Sequence, residues 1–224
     1  MEVVLIVAGG SGKRMQSETP KQFIEIAGLP VLMHTIKAFA WYASEIRIIV
    51  VLPENHITIW QKLIRDFKFT INHTCVKGGE TRFQSVKNGL EYVTDTDVVA
   101  IHDGVRPLVS LNIISASFRV ASEKGNAVTA IPLKDSIREI LESGENIAAD
   151  RNRFRIIQTP QTFQGEIIKK AYETDENQLF TDDASVAEFS GEKIYLIEGD
   201  PVNVKITTPE DLTFARSFLE KIEN

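Results

Sequence analysis

Val3-Val4-Leu5-Ile6-Val7 runs straight into Ala8-Gly9-Gly10-Ser11-Gly12-Lys13-Arg14-Met15, an apolar β-branched run followed by three glycines and two adjacent cations. Such a run suits a strand covered on both faces, and strands of that kind belong to parallel sheets sandwiched between helices. The loop leaves the carboxyl end of the strand, where open α/β sheets bind their ligands. Glycines at 9, 10 and 12 let the backbone approach an anion and aim N–H groups at it. An ordinary βα turn would use the same glycines for geometry alone, so the loop by itself leaves both readings open. Two familiar phosphate loops are excluded. The P-loop needs glycine at the position of Val7 and Ser or Thr at that of Arg14. The dinucleotide fingerprint needs glycine where Met15 stands.

Working outward, short β-branched runs alternate with amphipathic stretches, the pattern of βα units on both faces of one sheet. Strands are expected at 3–7, 46–51, 70–76, 97–101, 127–131, 194–197 and 203–206. Helices are expected along the stripe from Val31 to Phe39 and at 54–67, 82–93, 111–123, 164–173 and 182–190. A last helix opens Thr208-Pro209-Glu210-Asp211, with a capping hydroxyl, a proline for the first turn and acids facing the positive end of the dipole. The expected fold is α/β, a Rossmann-like, mostly parallel sheet with helices on both faces. Between about 133 and 158 the rhythm breaks. Ser136-Ile137-Arg138-Glu139-Ile140, Ser143-Gly144 and Asn146-Ile147 predict a projecting β-hairpin arm. A two-stranded arm is marginal alone in water, which suggests packing on a second subunit as a homodimer, or folding back on its own domain.

At 224 residues with 43% apolar content the chain fits one domain spanning 1–224 with the arm as an insertion. Its net charge of −6 and the lack of any run of five like charges argue against nucleic acid or an anionic membrane as partner. One cysteine, Cys75, excludes a disulfide framework and suits the cytoplasm; it follows an apolar stretch and reads as core filling. The amino-terminal apolar run is too short for a signal peptide, and no stretch approaches the roughly 18 apolar residues of a membrane span.

A nucleoside triphosphate carries several negative charges, and in-line attack builds more on the departing pyrophosphate. Cations held by the fold stabilise that state without reorganising. Arg14 and Lys21 are therefore catalytic candidates, with Pro20 fixing the backbone just before Lys21. Taken singly, each is more often a solvated surface charge. The residues following strands repeat the theme: Gly78-Gly79-Glu80 precedes a helix carrying Arg82 and Ser85, and His102-Asp103 emerges from Val98-Val99-Ala100-Ile101. Asp103 there can meet a hydroxyl or a Mg²⁺ held by triphosphate, or can serve as a cap; His102 reads as a core histidine.

In order along residues 7–212, the chain carries Ala8-Gly9-Gly10-Ser11-Gly12-Lys13-Arg14-Met15, Pro20-Lys21-Gln22-Phe23, Gly78-Gly79-Glu80-Thr81-Arg82-Phe83-Gln84-Ser85-Val86, His102-Asp103-Gly104-Val105-Arg106-Pro107, Thr159-Pro160-Gln161, Thr181-Asp182-Asp183-Ala184-Ser185 and Asn203-Val204-Lys205-Ile206-Thr207. Together these resemble the cytidylyltransferases that act on sugar and polyol phosphates, in particular the 2-C-methyl-D-erythritol 4-phosphate cytidylyltransferases. The resemblance implies that Arg14 and Lys21 stabilise the transition state at the α-phosphate of CTP. It implies that Ala8, Gly9, Gly10, Ser11, Gly12 and Lys13 hold the nucleotide, with Gly79, Glu80 and Ser85 at the base. Asp103, Gly104 and Arg106 are then at the active site, Arg151 and Lys205 orient the acceptor phosphate, and Ser136 and Thr159 bind the polyol. Because Arg151 and Ser136 belong to the arm, a dimer through it would share residues between sites.

The implied reaction joins CTP and methylerythritol phosphate into a cytidine diphosphate polyol with release of pyrophosphate, a step towards isoprenoid precursors. An acceptor phosphate is mostly ionised at neutral pH, so no general base is required. Mg²⁺ is expected as cofactor, bound mainly through CTP phosphates, with protein ligands unassigned. Two positions depart from the family pattern: Ser136 replaces a familiar threonine, and Gly104-Val105 a familiar alanine pair. Ribitol 5-phosphate cytidylyltransferases share almost every motif, so ribitol 5-phosphate is the alternative acceptor. A noncatalytic nucleotide-binding module has no need for cations on both sides of one phosphorus, and Met15 disfavours an NAD-dependent oxidoreductase.

Overall fold

Along β1 (Glu2–Val7) successive side chains enter two different apolar layers, Val3, Leu5 and Val7 on one side and Val4 and Ile6 on the other. In the computed structural model, which describes residues 1–9 and 19–222, this strand lies inside a larger sheet. In chain order follow β2 (Glu25–Ile26), β3 (Leu29–Pro30), α1 (Val31–Tyr42), β4 (Arg47–Leu52), α2 (Glu54–Asp66), β5 (Thr74–Lys77), α3 (Arg82–Leu90), β6 (Val98–Asp103), α4 (Leu111–Lys124) and β7 (Asn126–Pro132). The chain continues through β8 (Ile137–Ile140), β9 (Asn146–Ala149), β10 (Arg155–Gln164), α5 (Gly165–Ala171), α6 (Asp183–Phe189), β11 (Leu196–Glu198) and α7 (Pro209–Ile222).

The main sheet has the order β11-β7-β10-β6-β1-β4-β5. Every pairing in it is parallel except those of β10, which runs antiparallel between β6 and β7. From β1 the chain builds outward through β4 and β5 on one side and returns to β6 on the other, so the switch point lies between β1 and β6. One face is covered by α3, α5 and α6 through Phe83, Val86, Ile168 and Val186, the other by α1, α2 and α4 through Leu32, Phe39, Trp60 and Phe118. Cys75 packs half-buried against the second layer, and burial pushes its thiol up, as expected of core filling. A third cluster of Ile26, Val31, Val105, Leu108, Ile206 and Ala215 seats α7 beyond the sheet. The start of α7 is capped reciprocally: Thr208 Oγ1 accepts from Asp211 N–H at 3.4 Å, and Asp211 Oδ2 accepts from Thr208 N–H at 2.9 Å.

The mostly parallel α/β sheet and the arm agree with expectation, whereas the short β2–β3 pair was not expected and two longer stretches differ. Residues 203–206 form no ladder: Ile206 N–H reaches Val105 O at 2.9 Å and Val204 N–H reaches Val202 O at 2.7 Å, so this is a loop satisfied by single contacts. Conversely, residues 155–164 form a ten-residue strand where no strand was expected. Pro160 lies within the register shift between Ile157 and Gln161, where no ladder donor is required of it. The arm is the isolated β8–β9 pair, closed by a turn in which Gly144 takes φ +85°. Its Ile140 is 70% exposed and Ile147 48%.

Candidate active site

The site grows from the carboxyl ends of β1 and β6, where Val7 stands opposite Asp103. Ala8 N–H continues to Val51 O at 3.0 Å and Gly104 N–H to Val7 O at 2.9 Å. A Cβ on Gly104 would stand 2.7 Å from Ala8 Cβ, so glycine permits the two strand ends to close up at Ala8. Above them opens a cleft with two lobes. The first, about 250 Å³, is lined by Ala8, Gly9, Lys21, Gly79, Glu80 and Ser85 among others; the second, about 260 Å³, by Arg106, Gln158, Thr159 and Gln161. Arg82, Asp103 and Lys205 line both and form the seam.

Asp103 organises that seam. Its Oδ2 lies 3.1 Å from both Arg106 Nε and Lys205 Nζ, and its Oδ1 lies 4.0 Å from Arg82 Nε. Its backbone N–H donates to Thr159 Oγ1 at 3.0 Å, tying the acceptor candidate on β10 to the end of β6. Burial alone would raise the Asp103 carboxyl, yet Lys205, Arg82 and Arg106 together hold it well below the usual carboxylate range. His102, completely buried, is pushed down to about 4 by burial; its Nε2 meets Arg106 O at 3.2 Å, and the ring packs edge-on against Phe39. It is a neutral core histidine, as expected.

Lys21 sits in a short 3₁₀ turn following Pro20, only 8% exposed, and its Nζ donates to Ile206 O at 3.0 Å. The same turn supplies Gln22, whose Nε2 donates to Ala8 O at 2.9 Å and so ties this turn to the start of the glycine loop. Across the cleft, the Gly78–Thr81 turn is shaped by Ser85: its Oγ accepts from Gly79 N–H at 3.1 Å and donates to Thr81 O at 2.8 Å. A Cβ on Gly78 would fall 2.8 Å from that oxygen, which explains the glycine there.

Of the expected residues, the structure thus brings together Ala8, Gly9, Lys21, Gly79, Glu80, Ser85, Asp103, Arg106, Thr159 and Lys205. Gly104 lies beneath them. Ser136 and Arg151 sit exposed on the arm, outside the lining of either lobe of their own chain; Arg151 donates to Lys134 O. Gly10, Ser11, Gly12, Lys13 and Arg14 lie outside the described residues. Sequence reasoning gave no role to several residues the structure adds. Arg82 forms a bidentate pair with the fully buried Asp183, at 2.9 and 2.6 Å. Asn203 Nδ2 donates to Thr159 O at 2.9 Å, while its carbonyl accepts from Arg106 Nη1 at 2.7 Å. Gln158 Nε2 reaches Asp200 O at 2.8 Å, anchoring the 200–206 loop that carries Lys205. Asp183 and Asn203 stood inside the quoted motifs, which was the available signal.

Two lobes that meet at one carboxylate ringed by cations suit the passage of a phosphoryl-linked group from one anionic substrate to another, and their place at the switch point of a parallel sheet suits a nucleotide. In class, this is a nucleotidyltransferase. Comparison with known proteins gives the particular family. Residues 2–221 match the family described as 2-C-methyl-D-erythritol 4-phosphate cytidylyltransferase. The protein of that name from Porphyromonas gingivalis is 48% identical over 216 residues, covering 96% of each chain, and that from Bacteroides fragilis is 46% identical over 215 residues, covering 96% of this chain and 98% of the relative. A solved structure of 4-diphosphocytidyl-2C-methyl-D-erythritol synthase from Anaerococcus prevotii superposes with a TM-score of 0.83 at 30% identity, covering 98% of this chain and 96% of that one. The chain belongs to the 2-C-methyl-D-erythritol 4-phosphate cytidylyltransferase family, a family of CTP-dependent enzymes.

Proposed function

We infer that the chain transfers CMP from CTP to 2-C-methyl-D-erythritol 4-phosphate, giving 4-diphosphocytidyl-2-C-methyl-D-erythritol and pyrophosphate in isoprenoid precursor synthesis. The observation that carries this is the shared seam: Asp103 with Arg106, Lys205 and Arg82 stands where a nucleotide in one lobe would meet an acceptor in the other. The acceptor phosphate supplies the nucleophilic oxygen already ionised, so the protein's tasks are alignment and charge stabilisation. Lys205 and Arg106 face the acceptor lobe and are suited to steer its phosphate. Lys21, with Arg14 of the glycine loop, is suited to stabilise charge at the α-phosphate and on the departing pyrophosphate.

The choice of cytosine is supported by Ser85. Its proton is committed to Thr81 O, so towards the lobe the hydroxyl can only accept, which matches the exocyclic amine of cytosine and not the carbonyl of uracil. Mg²⁺ fits as an ion delivered by the triphosphate. Among the described residues Glu80 and Asp103 are the carboxylates lining the nucleotide lobe, and Asp103 is already paired, so Glu80 is the one of the two suited to join phosphate oxygens and water as a ligand. When bound, the ion would neutralise phosphate oxygens. A homodimer through the arm is supported by the exposed Ile140 and Ile147 and by the position of Ser136 and Arg151 outside their own cleft. A cytoplasmic location rests on the single cysteine.

Pyrophosphate release with CTP and Mg²⁺ tests the reading, comparing methylerythritol phosphate with ribitol 5-phosphate. Faster release with the former is expected. Faster release with ribitol 5-phosphate would reassign the acceptor, and no release with either would refute the transfer reaction.

A further inference from the structure

Arg82 opens α3, and its guanidinium crosses to α6, where Asp183 is 0% exposed and accepts from both Nη1 and Nη2. The fork has five N–H donors, so three remain for the cleft. Asp183 Oδ1 accepts a third hydrogen bond, from Tyr172 Oη at 2.7 Å. Tyr172 itself is 2% exposed and stacks on Phe83, the neighbour of Arg82, at 4.7 Å between ring centroids. One side chain therefore grips both the carboxylate that holds Arg82 and the ring next to it in sequence. Arg82 has a second acceptor within reach, Asp103 Oδ1 at 4.0 Å from its Nε, on the carboxylate whose Oδ2 pairs with Arg106 and Lys205.

We propose that Tyr172 is a positioning residue of the transfer site: through Asp183 it fixes Arg82 at the seam of the two lobes, where the guanidinium meets the phosphate passing between them. Burial and the Asp183 charge push the phenol well above its ordinary range, so the donor stays protonated at working pH. The proposal rests on the transfer reading for its chemistry, and its test includes a readout independent of turnover.

The test is a double-mutant cycle of Tyr172→Phe and Arg82→Gln on CTP affinity by calorimetry and on kcat and KM. Phenylalanine keeps the stack on Phe83 and removes only the hydroxyl. The expected result is a loss of about tenfold in kcat/KM for Tyr172→Phe, the scale of one hydrogen bond to a charged group, with no further loss when it is added to Arg82→Gln. Arg82→Lys should recover part of the Arg82→Gln loss. Full activity and CTP affinity in Tyr172→Phe, or losses that multiply in the double variant, would overturn the proposal. Should the wild-type protein bind CTP without turning over, the transfer reading fails, and the cycle on CTP affinity still decides whether Tyr172 acts through Arg82.

Discussion

Replacing Asp103 by Asn leaves the shape of the side chain and removes the carboxylate charge that pairs with Arg106 and Lys205 and lies 4.0 Å from Arg82. Deleting one partner of a buried pair costs about 3–5 kcal/mol, because the other charge is left uncompensated. Here the Arg106 side is buried, at 10% and 9% exposure for the two side chains, but Lys205 is 40% exposed and can turn to water. Arg106 also keeps Asn203 O, and the new amide oxygen can still accept one bond. These discounts bring the expected loss to about 2–3 kcal/mol, or about 5–10 °C in melting temperature for a chain of this size. The pH dependence carries a sign. The native carboxyl lies below its unfolded value, so its contribution is complete above about pH 4 and fades as pH falls further towards the native pKa. Wild type and Asp103→Asn should therefore differ by the full amount from pH 5 to 8 in urea unfolding and converge only in strong acid. A variant that melts within 1 °C of wild type at pH 7 would refute the description of Asp103 as the anchor of the seam.

Lys21→Ala should lower turnover by roughly a hundredfold or more, the scale of losing one transition-state charge donor, in a discontinuous pyrophosphate assay; an unchanged rate would remove Lys21 from the chemistry. His102, neutral with a native pKa of about 4 against roughly 6.5 unfolded, binds fewer protons than the unfolded chain at mild acid. Stability should thus fall by about 2 kcal/mol between pH 7 and pH 5, a slope that His102→Asn should abolish and that an equal slope in both proteins would contradict. Deleting residues 138–148 should yield monomers with impaired turnover in sedimentation and activity measurements. A shortened protein that remains dimeric and active would rule out a site shared through the arm.

The parts of the fold legible in the sequence were those with local signals. β1 and β6 are unbroken apolar runs, the turns at Gly78-Gly79 and the arm carry glycine, and α7 announces itself through Thr208 and Pro209. β10 was not legible, because Pro160 argues against a strand while its pairing with β6 and β7 is set by distant residues and a bulge. Val204-Lys205-Ile206 shows the reverse error: two β-branched residues that join no ladder, since Ile206 N–H goes to Val105 O and the Ile206 side chain fills the third core cluster from a loop. The same division runs through the site. Lys21, Asp103, Arg106 and Lys205 follow from charge and motif, whereas partners that hold the site's charged residues come from far along the chain: Asp183 for Arg82, Asn203 for Arg106 and Thr159 for Asp103. No periodicity encodes such pairs. The glycine loop that first suggested a phosphate site is now framed by what holds its start, Gln22 at Ala8 O and Gly104 beneath Ala8.

The most direct test follows the phosphorus atoms themselves. With CTP labelled at the α-phosphate and separately at the γ-phosphate, incubation with Mg²⁺ and methylerythritol phosphate should place the α-label in the cytidine diphosphate polyol and the γ-label in pyrophosphate. Recovery of the α-label in free CMP, or of the γ-label on the polyol, would contradict attack of the acceptor phosphate on the α-phosphorus.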